Sequence, residues 1–166
     1  MKGLPRSLAR GKGKHTLRKH LIKFKDVAVS VAGTSGVGYG TAVVGDLPEG
    51  NILYLGAVSY AQFTSADADV QATYDGDYSI GTTATADATL SSTDANIVAS
   101  AALGAATAGV SPEVRSSGAT AAVLDNTDGS LEVNLNLIID DANISGTADF
   151  TASGWVEIAY AVLGDD

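Results

Sequence analysis

Two histidines and nineteen carboxylates are the groups in this chain with the means to do acid–base or metal chemistry, and cysteine is absent. No thiolate metal site, disulfide scaffold or Cys nucleophile is therefore available. His15 and His20 sit among cations with no carboxylate nearby in sequence, so neither is set up as the oriented base of a Ser-His-Asp arrangement. The close carboxylate pairs are Asp67/Asp69, Asp75/Asp77 and Asp140/Asp141. Asp125-Asn126-Thr127-Asp128-Gly129 resembles half of a calcium loop. With Gly129 at its sixth position, however, Leu124 and Leu135 fall where carboxylate ligands are required. Asp-Gly at these points reads as turn chemistry. The glycines of 33–40 have phosphate-loop spacing, but no Lys follows and the chain runs on into strand-like Thr41-Ala42-Val43-Val44. These residues predict no enzyme, no metal and no cofactor.

The charge distribution carries more. Nine of the ten basic residues lie in 1–25, a segment with no acid, and all nineteen acids lie in 26–166, where Arg115 is the only cation. The first segment thus carries +9 and the remainder −18. Opposite signs in two parts of a chain point to a basic arm that docks on something acidic, beside a body that repels acidic surfaces. The organisation expected is an arm over 1–25 and a body over 26–166. Arm residues expected to make the contact are Arg6, Arg10, Lys12, Lys14, Leu17, Arg18, Lys19, Leu21, Ile22, Lys23, Phe24 and Lys25. Thr16 is placed to cap a short helix with Leu17, Leu21 and Phe24 on one stripe. The alternative is a basic tail with no fixed helix. Deleting 1–25 is expected to leave a folded body.

An acidic protein surface is the easier partner for this arm. Nucleic acid ranks behind it, because only Phe24 could stack on a base and the −18 body repels phosphate. No apolar run reaches the roughly 18–20 residues of a membrane span, so no membrane partner is expected. No apolar stretch follows the basic start as a secretion signal would require.

The elements that must carry these groups read as strands. Val27, Val29 and Val31 alternate with small residues. Residues 51–63 are apolar on both faces at first (Ile52, Leu53, Tyr54, Leu55) and alternate later. Leu131, Val133, Leu135, Leu137 and Ile139 share one face, with Glu132, Asn134, Asn136 and Asp140 on the other. Val156, Ile158, Tyr160 and Val162 repeat the period of two. Asp75-Gly76 predicts a hairpin between 70–74 and 78–88, and Asp128-Gly129 a tight turn. Residues 90–117 fit no regular pattern. Asp94–Val98 could open a short helix, and the whole stretch reads as a connection from one sheet to the other or to a neighbouring subunit. The fold expected is all-β: an antiparallel β-sandwich of about eight strands.

Four stretches carry a resemblance: GVGYGTAVVGDLPEGNILYLGAV at 36–58, GDYSIGTTATAD at 76–87, LDNTDGSLEVNLNL at 124–137 and AYAVLGD at 159–165. They are similar to small head structural proteins of marine tailed bacteriophages. The resemblance implies a decoration or cement protein, or another virion component, with a jelly-roll-like body assembled in the bacterial host cytoplasm. It carries no catalytic or binding residue across. It also implies the major capsid protein as partner and self-association as a homo-oligomer, a trimer by analogy with decoration proteins on three-fold sites. Two other classes remain open: an internal nucleic-acid-associated head protein, and a carbohydrate-binding or host-adhesion module, which would present exposed Trp and Tyr.

Overall fold

A computed structural model describes residues 17–34, 37–118, 120–140 and 143–164. Nine strands form in chain order: β1 (Arg18–Thr34), β2 (Val37–Asp46), β3 (Gly50–Thr64), β4 (Gly76–Gly81), β5 (Val98–Ala102), β6 (Val114–Ser117), β7 (Ala122–Asn126), β8 (Glu132–Ile139) and β9 (Ala148–Gly164). Every pairing is antiparallel, in the order β5-β4-β8-β2-β1-β9-β3-β6, with β7 also on β3. β6 pairs with the second half of β3 and β7 with its first half, so the two share one position beside it. Eight strand positions result, in two halves of four: β1-β9-β3-β6/β7 and β2-β8-β4-β5. That is the wiring of a jelly roll.

The far edges nearly meet. Val98 bridges Gly118, the Ser116 hydroxyl donates to the Ala99 carbonyl, and the Tyr54 hydroxyl donates to the Ile97 carbonyl at 2.5 Å. Gly118 is required at this seam, because a Cβ there would lie 2.0 Å from the Tyr54 hydroxyl and 2.4 Å from the Ala57 nitrogen. Residues 90–117 do cross from one half to the other, as one of the two readings of that stretch has it, and they supply β5 and β6 on the way. The helix expected from Asp94 does not form. A single 3₁₀ turn, Ser92–Asp94, ends where the sequence placed its start.

Period-two burial builds the core. Val133, Leu135, Leu137 and Ile139 of β8 face Val29, Val31, Phe150, Val156 and Ile158 across the interior. Tyr74 meets the edge of Phe150 at 5.2 Å between ring centroids, and its hydroxyl donates to the Phe63 carbonyl at 2.8 Å. Burial pushes the Tyr74 hydroxyl up to about 12. Two bulges explain residues that broke the pattern. Leu55 is the extra residue of β3 where the register with β9 shifts between Tyr54 and Gly56, and Leu163 is the extra residue of β9 opposite Asn51/Ile52. Inward positions of β3 are therefore even before Leu55 and odd after it. This is why 52–55 reads as apolar on both faces.

Three expectations change. The sequence boundary after residue 25 falls inside β1, and the helix expected across Leu17, Leu21 and Phe24 is a strand instead. Arg18 to Phe24 pair in register with Tyr160 to Gly154 of β9. Ile22 and Phe24 are buried between exposed Leu21, Lys23 and Lys25, an alternation that only a strand satisfies. Asp26, at φ 52, sits where the β1–β9 register shifts, and burial moves from even to odd positions beyond it. The change of texture at Val27 is a bulge within one strand. Second, Asp75-Gly76 makes no hairpin: β4 begins there and pairs with β8 and β5, while 70–74 forms turns. Third, Asn134 and Asn136 are buried, because the chain from 82 to 97 folds over their side of β8. The Asn136 amide donates to the carbonyls of Thr83 and Asp94 and accepts from the Thr85 N–H, so its polar atoms are satisfied.

Candidate docking face

The groups with chemical potential are dispersed into structural work. His20 is half-buried within β1, opposite Ile158. Asp67 accepts from the N–H groups of Asp69 and Asp149, and these bonds hold its carboxyl below the usual carboxylate range. Asp69 accepts from the Ser145 hydroxyl, and Asp75 accepts from the Asn143 amide. Asp125 and Asp128 accept bonds from residues two further on, and Gly129 takes φ 69, so this stretch is the turn its Asp-Gly predicts. Burial raises the Asp94 carboxyl. No group of three or more His, Cys, Asp or Glu placed to hold a metal occurs among the described residues. The glycine-rich 33–40 joins β1 to β2, with Gly33 paired to Gly38.

What the fold does assemble is a surface. Side chains at alternate positions of β1, β9, β3 and β6 point outward from one half of the jelly roll. The register places them in rows running across the strands. One row is Lys23–Trp155–Tyr60–Arg115, and the next is Leu21–Glu157–Val58–Ser117. The Tyr60 and Trp155 rings stack at 6.4 Å between centroids and 12° between planes. Hydrogen bonding to Glu113 pushes the Tyr60 hydroxyl up. Leu21 and Val58 are 49% and 45% exposed. Lys19 bonds Glu157 at 2.7 Å across the two strands. Three open depressions adjoin along this face. The largest, about 580 Å³, lies between Trp155, Val58 and Arg115, and the other two run toward Leu21 and Lys19.

The residues expected of the arm divide accordingly. Leu17, Arg18, Lys19, Leu21, Lys23 and Lys25 are exposed at or on β1, whereas Ile22 and Phe24 belong to the core and are unavailable to a partner. Arg6, Arg10, Lys12 and Lys14 lie outside the described residues. Sequence reasoning missed Trp155, Tyr60, Val58 and Arg115 as neighbours of the basic segment. A signal was present: Lys19, Leu21, Lys23 and Lys25 share one side at period two, and so do Trp155 and Glu157. The pairing of β1 with β9, 138 residues apart at Lys19–Glu157, was not readable. A second patch lies at the other end of the same half. Exposed Leu55, Val123 and Leu163 gather there around Leu53, which pairs with Val123 and Ala161.

No family model and no curated protein matches this chain. Among solved structures it is similar to a chain of the cyanophage Pam1 capsid asymmetric unit, at 20% identity over 98% of this chain and 99% of that one, with a TM-score of 0.44. It is also similar to a chain in the structure of the infectious bursal disease virus Gx strain, at 16% identity and a TM-score of 0.43. That alignment covers 86% of this chain and 32% of the viral one, so this chain spans about a third of its length. These superpositions are loose, and the fold assignment rests on the strand wiring described above.

Proposed function

We propose that the protein is a structural component of a tailed-phage head, a decoration or cement protein that stabilises the shell by binding the major capsid protein through its basic N-terminal segment. The observation that carries this reading is the partition of charge together with where it lies. Nine cations precede residue 26, and Lys19, Lys23 and Lys25 of β1 stand on one exposed sheet face beside Leu21, while the rest of the chain is acidic. The resemblance of four sequence stretches to phage head proteins supports the same assignment. Exposed ion pairs contribute only about 0–1 kcal/mol each and fade with salt, so the cations speed and orient docking. Apolar contact through Leu17 and Leu21 then sets how long attachment lasts, and many copies on one shell add avidity. Self-association, with a trimer as the expected form, is supported by the Leu55, Val123 and Leu163 patch, which no described residue covers.

The test is co-sedimentation of the purified chain with DNA-free heads assembled without it, across a salt series. Binding to heads at physiological salt, with loss of affinity when 1–16 are removed, is the expected result. Failure to sediment with heads at any salt refutes the reading. A carbohydrate-binding or host-adhesion module is a second reading, favoured by the Tyr60–Trp155 pair on an open face. Retention on an oligosaccharide column with no affinity for heads would select it.

A further inference from the structure

We propose that the outer face of β1, β9, β3 and β6 is a protein-docking surface anchored on Trp155, and that its occupant is an acidic, extended protein segment with an apolar residue between its acids. This rests on the head-protein reading and names the surface and partner pattern that such attachment would use. Trp, Tyr and Arg are the residue types that most often dominate interface energetics. Here Trp155, Tyr60 and Arg115 are consecutive in one cross-strand row, with Lys23 at its other end. Because the Tyr60 and Trp155 rings already stack on each other, the aromatic pair is in place before any partner arrives. The ion pairs among the described residues are Lys19–Glu157 and Lys25–Asp26. Lys23 and Arg115 therefore keep uncommitted charge on either side of the rings.

That charge selects the occupant. Arg115 is the single cation beyond residue 25, and it stands on the same face as the lysines of β1 although it is ninety residues distant in sequence. Glu157 and Glu113 within the face disfavour a uniformly anionic phosphate chain, whereas a protein segment can place acids and apolar groups separately. Lys23 and Arg115 are three strand spacings apart, roughly 14 Å at about 4.8 Å each. An extended segment lying across the strands advances about 3.3 Å per residue and shows every second side chain to the face. Acids at i and i+4 therefore meet Arg115 and Lys23, while an apolar residue at i+2 lands on Tyr60 and Trp155.

Trp155 is the only tryptophan in the chain, so its fluorescence reports occupation of the face directly. The full-length protein is titrated with DNA-free heads lacking it, following both emission and co-sedimentation. Parallel titrations use duplex DNA, an acidic oligosaccharide, and increasing concentrations of the protein alone. The expected result is a blue shift with heads. Trp155→Phe and Arg115→Glu should each weaken binding by tenfold or more, and Lys23→Glu with Arg115→Glu should abolish the shift. Circular dichroism of each variant checks that the fold is kept. Binding to heads without a shift, and with affinity unchanged by these substitutions, overturns this inference while leaving the head-protein reading intact. A shift produced only by DNA, by the oligosaccharide or by self-concentration overturns the assignment of the occupant. If the chain never binds heads, the reading beneath it fails too.

Discussion

Removing residues 1–25 should unfold the protein, while removing 1–16 should leave it folded. The longer deletion takes away the first part of β1, from Arg18 to Lys25, and with it the register pairs from Arg18–Tyr160 to Phe24–Gly154. It also takes Ile22 and Phe24 from the core, where they are 7% and 6% exposed. Burial of two such side chains is worth about 3–6 kcal/mol. A ladder of that length adds about 4–10 kcal/mol at roughly 0.5–1.5 per net hydrogen bond. Together these match the whole stability of a typical domain, about 5–15 kcal/mol. Val156, Ile158 and Tyr160 of β9 would in addition lose cover. Thermal melts followed by far-UV circular dichroism decide the matter, with amide spectra to check for a dispersed fold. The 1–16 deletion should melt within a few degrees of the full chain, and the 1–25 deletion should show no cooperative transition. A 1–25 deletion that melts cooperatively near the full chain would refute the reasoning, since β1 would then add little to the core. Single substitutions separate the same roles: Phe24→Ala should cost about 3–5 kcal/mol, and Leu21→Ala should leave stability within about 0.5 kcal/mol.

Asn136→Ala should destabilise by about 2–5 kcal/mol, because one buried and two part-buried backbone groups lose their partner, and a melting temperature lowered by roughly 10 °C would show it. Asp67 has its carboxyl lowered by backbone N–H bonds, so its contribution is present above the ordinary carboxylate range and is lost as pH falls through its lowered value. Asp67→Asn should therefore flatten the fall of melting temperature below about pH 4, where the wild type loses this term. Val123→Glu, on a side chain 60% exposed, should leave the fold intact and shift sedimentation equilibrium toward monomer if its patch joins copies. An unchanged mass distribution would remove that patch from the interface.

Much of the fold was legible because period-two alternation is a local signal. β8 repeats Val133, Leu135, Leu137 and Ile139 on one side without interruption, and it lies where the sequence places it. The signal weakens where a bulge resets the phase. At Lys25-Asp26 the alternation slips by one, and a strand that continues looks like an element that ends. Three positively charged lysines on its exposed side then made the first half resemble a detached arm. Lysines at that spacing suit an unpaired strand edge equally well, since they discourage other chains from adding to it. Nor could the alternation say which second faces are wet. Asn134 and Asn136 look solvated from sequence, yet the 82–97 chain covers them and uses Asn136 as its clasp.

The candidate face was less legible for a different reason: it is a property of register between strands far apart in the chain. Lys23, Trp155, Tyr60 and Arg115 come from four strands and become neighbours only through three antiparallel pairings. Each has an ordinary local reading, as a tail cation, a half-buried aromatic, a strand tyrosine and an isolated arginine. Charge arithmetic came nearest, because it marked Arg115 as the lone cation of an acidic body. Scattered at random over the outer surface, that arginine would carry little information. Its place in the row that begins with Lys23 makes the basic segment and the body one surface, with the aromatic pair between them. Attachment through this surface would couple binding to folding, since β1 supplies both the core residues Ile22 and Phe24 and the exposed Leu21 and Lys23. A partner seated across β1 and β6 would hold together both outer strands of this half, and bound protein should resist heat and urea more than free protein does.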